Sequence, residues 1–394
     1  RWLEQSGQMS FRLRAGLYVP PVDSRAPGAA AQIPGILQRF EALRAGNKGS
    51  RLIRVDGVKL FADAVLEGNP LSEPPALPGA AVLGHFHQPM FRFDPATQTL
   101  DVRGYVDLDS EACATVRADP AAYAKPKAIE RFRKTHGHLP AQCTRGSGVL
   151  EHSEEFIREF VAQATRAGFN VHIHAISDRG VRVAVDAFEA AHAEAKRRGL
   201  TQSLAHLQLV HPEEQQRIGK LGIYSAFTYA WIVPDIGYNL SVIPFIEKVS
   251  GRDGLFDPKT YYMKNVYPVR AIKAAGGVPV WGSDAPVESR DPRPFLNLEQ
   301  AVTRASDGRV LTADNAIDIH AALAAFTIDG ARMLGLGERT GSIEAGKLAD
   351  LVVLDQNLVE LAEQGQADRI SETRVLTTIF DGRVVYEATP SGGP

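Results

Sequence analysis

The sequence predicts an α/β fold built on a parallel sheet, and three observations lead there. From Asn170 onward, short apolar runs alternate with longer stretches of helical period, the pattern of successive βα units. Residues able to do chemistry stand at the C-terminal ends of successive strand-like runs. With 394 residues, 44% of them hydrophobic, the chain can bury a large core. A (β/α)8 barrel of the TIM type is the natural closure of such units, here with a small β-sandwich-like unit at the C-terminus.

Phe11 to Val19 and Leu52 to Phe61 read as the first two strands. Phe169 to Ala175 is the third, and Asp178 opens a helix whose Val181, Val185, Phe188 and Ala191 recur at three- and four-residue spacing up to Gly199. Ser203 to Val210 follows, then a helix with Pro212 in its first turn and Glu213 and Glu214 near its positive end. Ile223 to Trp231 and Val278 to Gly282 complete six strands, with a helix from Val269 to Ala275 between them. The barrel is assigned to residues 1–336, and the Pro/Gly-rich stretch 66–168 is read as an insertion over the site. Residues 337–394 form the C-terminal part of a small β domain. Leu351 to Leu354 is one of its strands, and Asp381-Gly382 is a hairpin turn between two more.

The net charge of -2 gives no electrostatic reason to expect nucleic acid or an anionic membrane as partner. No run of about 18 apolar residues is present to span a bilayer. Cys113 and Cys143, the only cysteines, rule out a disulfide scaffold or a cysteine-rich zinc module and leave one bridge open. The chain starts at Arg1 without Met, so the compartment, cytoplasmic or exported, stays open. Self-association into a homo-oligomer is expected.

His174 ends VHIHA, His206 lies in SLAHLQ and Asp284 closes VPVWGSD. In a barrel these strand ends converge on one face, and imidazole nitrogens with a carboxylate are ligands for a zinc-like ion. Alone, each has a plainer identity: a hydrogen-bonded core histidine, or an aspartate capping a turn. Three at matching strand ends favour a metal site.

The ordered segments Val55–Asp63, His174–Asp178, Ala205–Val210, Gly282–Val287 and Gly341–Leu354 resemble amidohydrolase family 3, the branch that includes N-substituted formamide deformylases. The resemblance implies a metal-dependent barrel hydrolase of non-peptide C–N bonds, acting on a small amide-type substrate, an N-acyl or N-formyl amide. It also implies one or two divalent ions such as Zn and a carboxylated lysine bridging them, a position that Lys59 matches. From the residues alone Lys59 reads as a snorkelling lysine or one salt-bridged to Asp63. In the same reading His174 and His206 hold one ion, and Asp284 holds the other while serving as general base and then acid. Asp178 and Gln208 become candidates to orient a ligand or substrate, Asp178 equally a helix cap. Trp231, with Tyr229 and Trp281, becomes a wall of the substrate pocket.

The chain departs from the family in three places. The family's first-strand His-x-His pair is missing before Lys59, which implies a missing N-terminal segment or a second chain. His85-Phe86-His87 and His136-Gly137-His138 come after Lys59 and are read as loop histidines of the insertion. Ala64 and Ser177 stand where the family has glycine. Two rival functions remain at this level, a deaminase-type amidohydrolase and a catalytically silent barrel acting as an assembly partner.

Overall fold

Six of the apolar runs become strands of one parallel sheet in a computed structural model of the chain, which describes residues 1–20, 24–287 and 289–389. These are β1 (Leu13–Tyr18), β2 (Ile53–Phe61), β5 (Asn170–Ala175), β6 (Gln202–His206), β7 (Tyr224–Phe227) and β8 (Val278–Trp281). A hairpin between the second and third of them supplies β3 (Pro89–Asp94) and β4 (Thr99–Tyr105). The six lie in the order β1-β2-β5-β6-β7-β8, and among the described residues β1 and β8 are its two free edges.

Alternation along the strands sorts side chains between two environments. Val58 and Leu60 of β2, with Val171 and Ile173 of β5, are buried against the surrounding helices. Lys59 and Phe61 point to the other face, as do His172 and His174. Register sets Lys59 opposite His172, Phe61 opposite His174 and Ala175 opposite His206.

The helix Asp178–Arg198 buries Val181, Val185, Phe188 and Ala191, and it ends at Gly199 in the left-handed conformation after three basic residues. The helix Glu154–Arg166 corrects the sequence-based limits of the insertion. Its Phe156, Ile157, Phe160 and Val161 join the main core, so it is the crossover helix returning from β2 to β5 rather than part of a cover. Each such side chain contributes about 1.5–3 kcal/mol of burial.

The preceding stretch is a module with its own small core of Val106, Cys113, Val116, Phe132 and Cys143. A Cys113–Cys143 disulfide, with 4.9 Å between the Cα atoms, closes it. At the C-terminus β9 (Leu351–Leu354), β10 (Val375–Phe380) and β11 (Arg383–Glu387) form an antiparallel sheet whose turn places both Asp381 and Gly382 at positive φ. Arg12 binds Asp350 and Asp381 and lies 4.5 Å from the Phe380 ring centre, fastening this sheet to the start of the barrel. No helix among the described residues is long and apolar enough to cross a membrane.

Candidate metal centre

Strand ends deliver the candidate residues. Strands β6 and β7 are shorter than the apolar runs suggested: the backbone turns sharply at the end of β6, and β7 passes into the short helical turn Tyr229–Trp231. His206 and Leu207 take positive φ (77° and 49°), which ends β6 at the histidine. Asp284 likewise sits at φ 51° just past β8. Non-glycine residues rarely occupy this region, and such outliers gather at functional sites.

The imidazoles of His174 and His206 meet edge to face with 4.6 Å between centroids. Phe61 stacks on His174 at 4.5 Å and Trp231 on His206 at 5.5 Å, so aromatic walls enclose the pair. Nε2 of His174 donates to the Ala64 carbonyl at 3.3 Å, which leaves Nδ1 as its lone-pair nitrogen. Nδ1 of His206 is buried and has no hydrogen-bond partner. Burial holds both rings neutral, His174 pushed down to about 4 and His206 to about 2, with the positive charge of Lys59 adding to the effect.

Lys59 lies on the same face, its Nζ 5.2 Å from the Phe61 ring centre. Burial brings its ammonium down to about 8, opposed by the charge of Asp284. Asp284 is pushed up by burial and pulled back by Lys59, so the two groups sense each other directly. His174, His206 and Asp284 do not bring one ligand atom each within 4.8 Å of one another; among the described residues the one triplet that does is Cys113, His138 and Cys143, whose sulfurs are already joined to each other. Two neutral imidazoles on one side and a carboxylate beside Lys59 on the other fit a divalent ion at the histidine pair and a second position across Lys59. The buried Nδ1 of His206, with no hydrogen-bond partner among the described residues, is available to such an ion.

The other sequence-based candidates have different employment. Asp178 accepts from Leu83 N–H and Tyr261 Oη, and the N-cap of its helix is Ser177, so its carboxylate joins neighbouring loops. Both ends of the Gln208 amide are taken by tyrosines, Tyr238 donating to Oε1 and Tyr262 Oη accepting from Nε2, so Gln208 is a buried structural link. Trp231 lies against the His206 ring. Tyr229 is buried with its hydroxyl unpartnered, and Trp281 stacks on Phe326 at 4.7 Å. His85 is exposed beside Glu154 and Arg179, His87 packs on Tyr105, and His136 and His138 pack on Phe132 inside the disulfide-closed module.

Asp63 is not the partner of Lys59. Its fully buried carboxyl receives Ile176 N–H at 3.0 Å, Ser177 N–H at 2.9 Å and the Ser177 hydroxyl. Burial raises it to about 7 against the pull of these donors. His172 went unremarked in the sequence although it stands two residues before His174 on the same face. It is part-buried with Nδ1 2.8 Å from Ser203 Oγ, and desolvation together with the charge of Lys59 holds it well below the usual imidazole range. The i, i+2 spacing in VHIHA was the available signal.

A model of the amidohydrolase family matches residues 3–386, and the chain belongs to that family. Its fold is accordingly of the metal-dependent hydrolase barrel type. Among curated relatives, the N-substituted formamide deformylase of Arthrobacter pascens is 27% identical over 250 residues, 63% of this chain and 42% of that one. A 5-methylthioadenosine/S-adenosylhomocysteine deaminase of Teredinibacter turnerae is 35% identical over 95 residues, 24% of this chain and 21% of that one. An uncharacterized metal-dependent hydrolase of Pyrococcus horikoshii OT3 superposes with a TM-score of 0.57 at 21% identity, covering 92% of this chain and 54% of that structure. The chain spans less than half the length of the curated relatives named here.

Proposed function

We propose that the protein is a metal-dependent hydrolase of non-peptide C–N bonds whose substrate is an N-acyl or N-formyl amide. The observation that carries this reading is the pair of buried, neutral imidazoles at the ends of adjacent strands, with Lys59 and Asp284 on the same face. His174 and His206 would hold one divalent ion of the zinc kind. Lys59, in carboxylated form, and Asp284 would hold a second. Bound there, such an ion lowers the pKa of water and polarises a carbonyl. The depressed basicity of Lys59 favours this form, because only the neutral amine combines with CO2.

Asp284 is half-buried and less acidic than an ordinary aspartate, which suits a carboxylate that must first accept a proton and later return it. It takes the proton of the attacking water as the new C–O bond forms. It then delivers that proton to the departing nitrogen as the C–N bond breaks, giving a carboxylic acid and an amine. Trp231 and Phe61 exclude water from around the imidazoles. The deformylase likeness extends over 250 residues and the deaminase likeness over 95, which supports an amide over a ring amidine as substrate.

The test is metal analysis and turnover of the full-length protein on a panel of N-formyl and N-acyl amines. Wild type should carry stoichiometric divalent metal and hydrolyse at least one of them. His206→Ala should lose metal, and Asp284→Asn should lose turnover by about 10²–10⁴-fold. Protein that binds no divalent ion after growth in zinc, and stays inert when it is added, would leave a silent barrel instead. A Lys59 side chain of unmodified mass in metal-loaded protein would remove the carboxylation.

A further inference from the structure

Three consecutive residues just past β2 grip both sides of His174. Ala62 N–H donates to the His174 carbonyl at 2.8 Å, and the Ala64 carbonyl accepts from its ring at 3.3 Å. Between them, the Asp63 carboxyl binds the two N–H groups at Ile176 and Ser177, immediately beyond the end of β5. The residues that follow the strand presenting Lys59 therefore fix the backbone at His174 and just after it.

The surroundings show that this carboxyl is built in. The helix starting at Asp178 places Gly180 against it, where an added Cβ would meet Asp63 Cγ and Oδ2 at 2.4 Å. Ser177 carries the hydroxyl that bonds Asp63 and also caps the helix, so serine here gains a contact that the family's usual glycine lacks. Removing the carboxyl would leave two buried N–H groups unpaired and free the turn that orients the ring.

We propose that Asp63 is a positioning residue for the metal centre, holding Lys59 and His174 at a fixed relative height and His174 in the tautomer that keeps its proton on Nε2. This rests on the reading of His174 as a ligand. A carboxyl bonded to backbone N–H groups and a serine hydroxyl acts through the histidine it frames.

The experiment compares wild type, Asp63→Ala, Asp63→Asn and Ser177→Ala by Zn²⁺ competition against a chelator and by long-range 1H–15N correlation of the His174 ring in metal-free protein. Far-UV circular dichroism establishes that each is folded. Asp63→Ala should bind Zn²⁺ about 10–100-fold more weakly and lose the single His174 tautomer. Asp63→Asn keeps one accepting oxygen for the two N–H groups and turns an NH2 on the other, so it should fall between Asp63→Ala and wild type, and Ser177→Ala, missing one of three donors, should lie closer to wild type. If Asp63→Ala does not fold, the tautomer and affinity of Ser177→Ala decide. Wild-type affinity and an unchanged tautomer in a folded Asp63→Ala or Ser177→Ala protein would overturn the proposal. Absence of Zn²⁺ binding in wild type would instead overturn the metal reading, while the metal-free tautomer comparison would still judge Asp63.

Discussion

Reducing the Cys113–Cys143 bond tests whether the module before the crossover helix is held by its own small core or by the staple. The bond closes a loop of 30 residues. Chain-entropy reasoning gives about 3.5 kcal/mol for a loop of that size, the upper limit of what its loss removes. The module has five residues in its buried cluster, two of them the cysteines, with Met90, Leu108, Ala112 and Tyr123 packed around it, so its own core is small. About 3.5 kcal/mol is a few hundred-fold in the local opening equilibrium. Limited proteolysis with and without a phosphine reductant measures it, with free thiols titrated in parallel. Cleavage should rise within 94–143 while the helices on β5 and β6 stay protected. The Cys113→Ser/Cys143→Ser double variant should behave as the reduced protein does. Equal cleavage rates with both thiols free would refute the reasoning, since the module would then stand on packing alone.

Three further outcomes follow from the geometry. His152 is buried with Nδ1 2.8 Å from Ser24 Oγ and is pushed down to about 4 by burial, so the unfolded chain takes up its proton first. Its share of stability is whole above pH 6.5 and is lost as pH falls toward 4, at most roughly 3 kcal/mol, and His152→Gln should flatten that part of a urea midpoint series between pH 7.5 and 4.5. Gly180→Ala should cost more than about 3 kcal/mol by forcing a methyl into Asp63, read as a lowered denaturation midpoint; a near-neutral effect would mean the carboxyl moves freely. Asp350→Ala removes the acceptor for Arg12, Thr340 Oγ1 and Asp381 N–H, and should cost about 2 kcal/mol, with hydrogen exchange rising first in β9 to β11.

Much of the fold was legible because each strand is buried on its helix-facing side and ends in a turn signal. The limit of β6 was overrun because Leu207 and Leu209 are apolar, and apolarity carries no sign of the positive φ that stops the strand at His206; that of β7 was overrun because the apolar run continues through the single helical turn Tyr229–Trp231. The crossover helix Glu154–Arg166 was hidden inside a Pro/Gly-rich stretch, its four-residue spacing of Phe156, Phe160 and Ala164 assigned a place only once the strand it serves is known. The candidate site was legible as residue types at strand ends. Its support was not. Asp63 looked like a neighbour for Lys59 four residues away, yet β2 ends at Phe61 and the chain turns Asp63 toward β5. The pairing of Cys113 with Cys143 depends on a fold of the intervening 30 residues that their spacing does not encode.

The free edges of the sheet bear on how the chain behaves in concentrated solution. Strand β1 exposes Leu13 and Tyr18, 42% and 50% accessible, beside a row of backbone donors and acceptors that pair with nothing further among the described residues. Natural edges are kept apart by charge, but Arg14 is neutralised by Asp56 and Arg12 by Asp350 and Asp381. The charges that would repel a second copy are thus spent within the molecule. The β1 edge is therefore the side of the sheet that charge does least to keep from pairing with another strand.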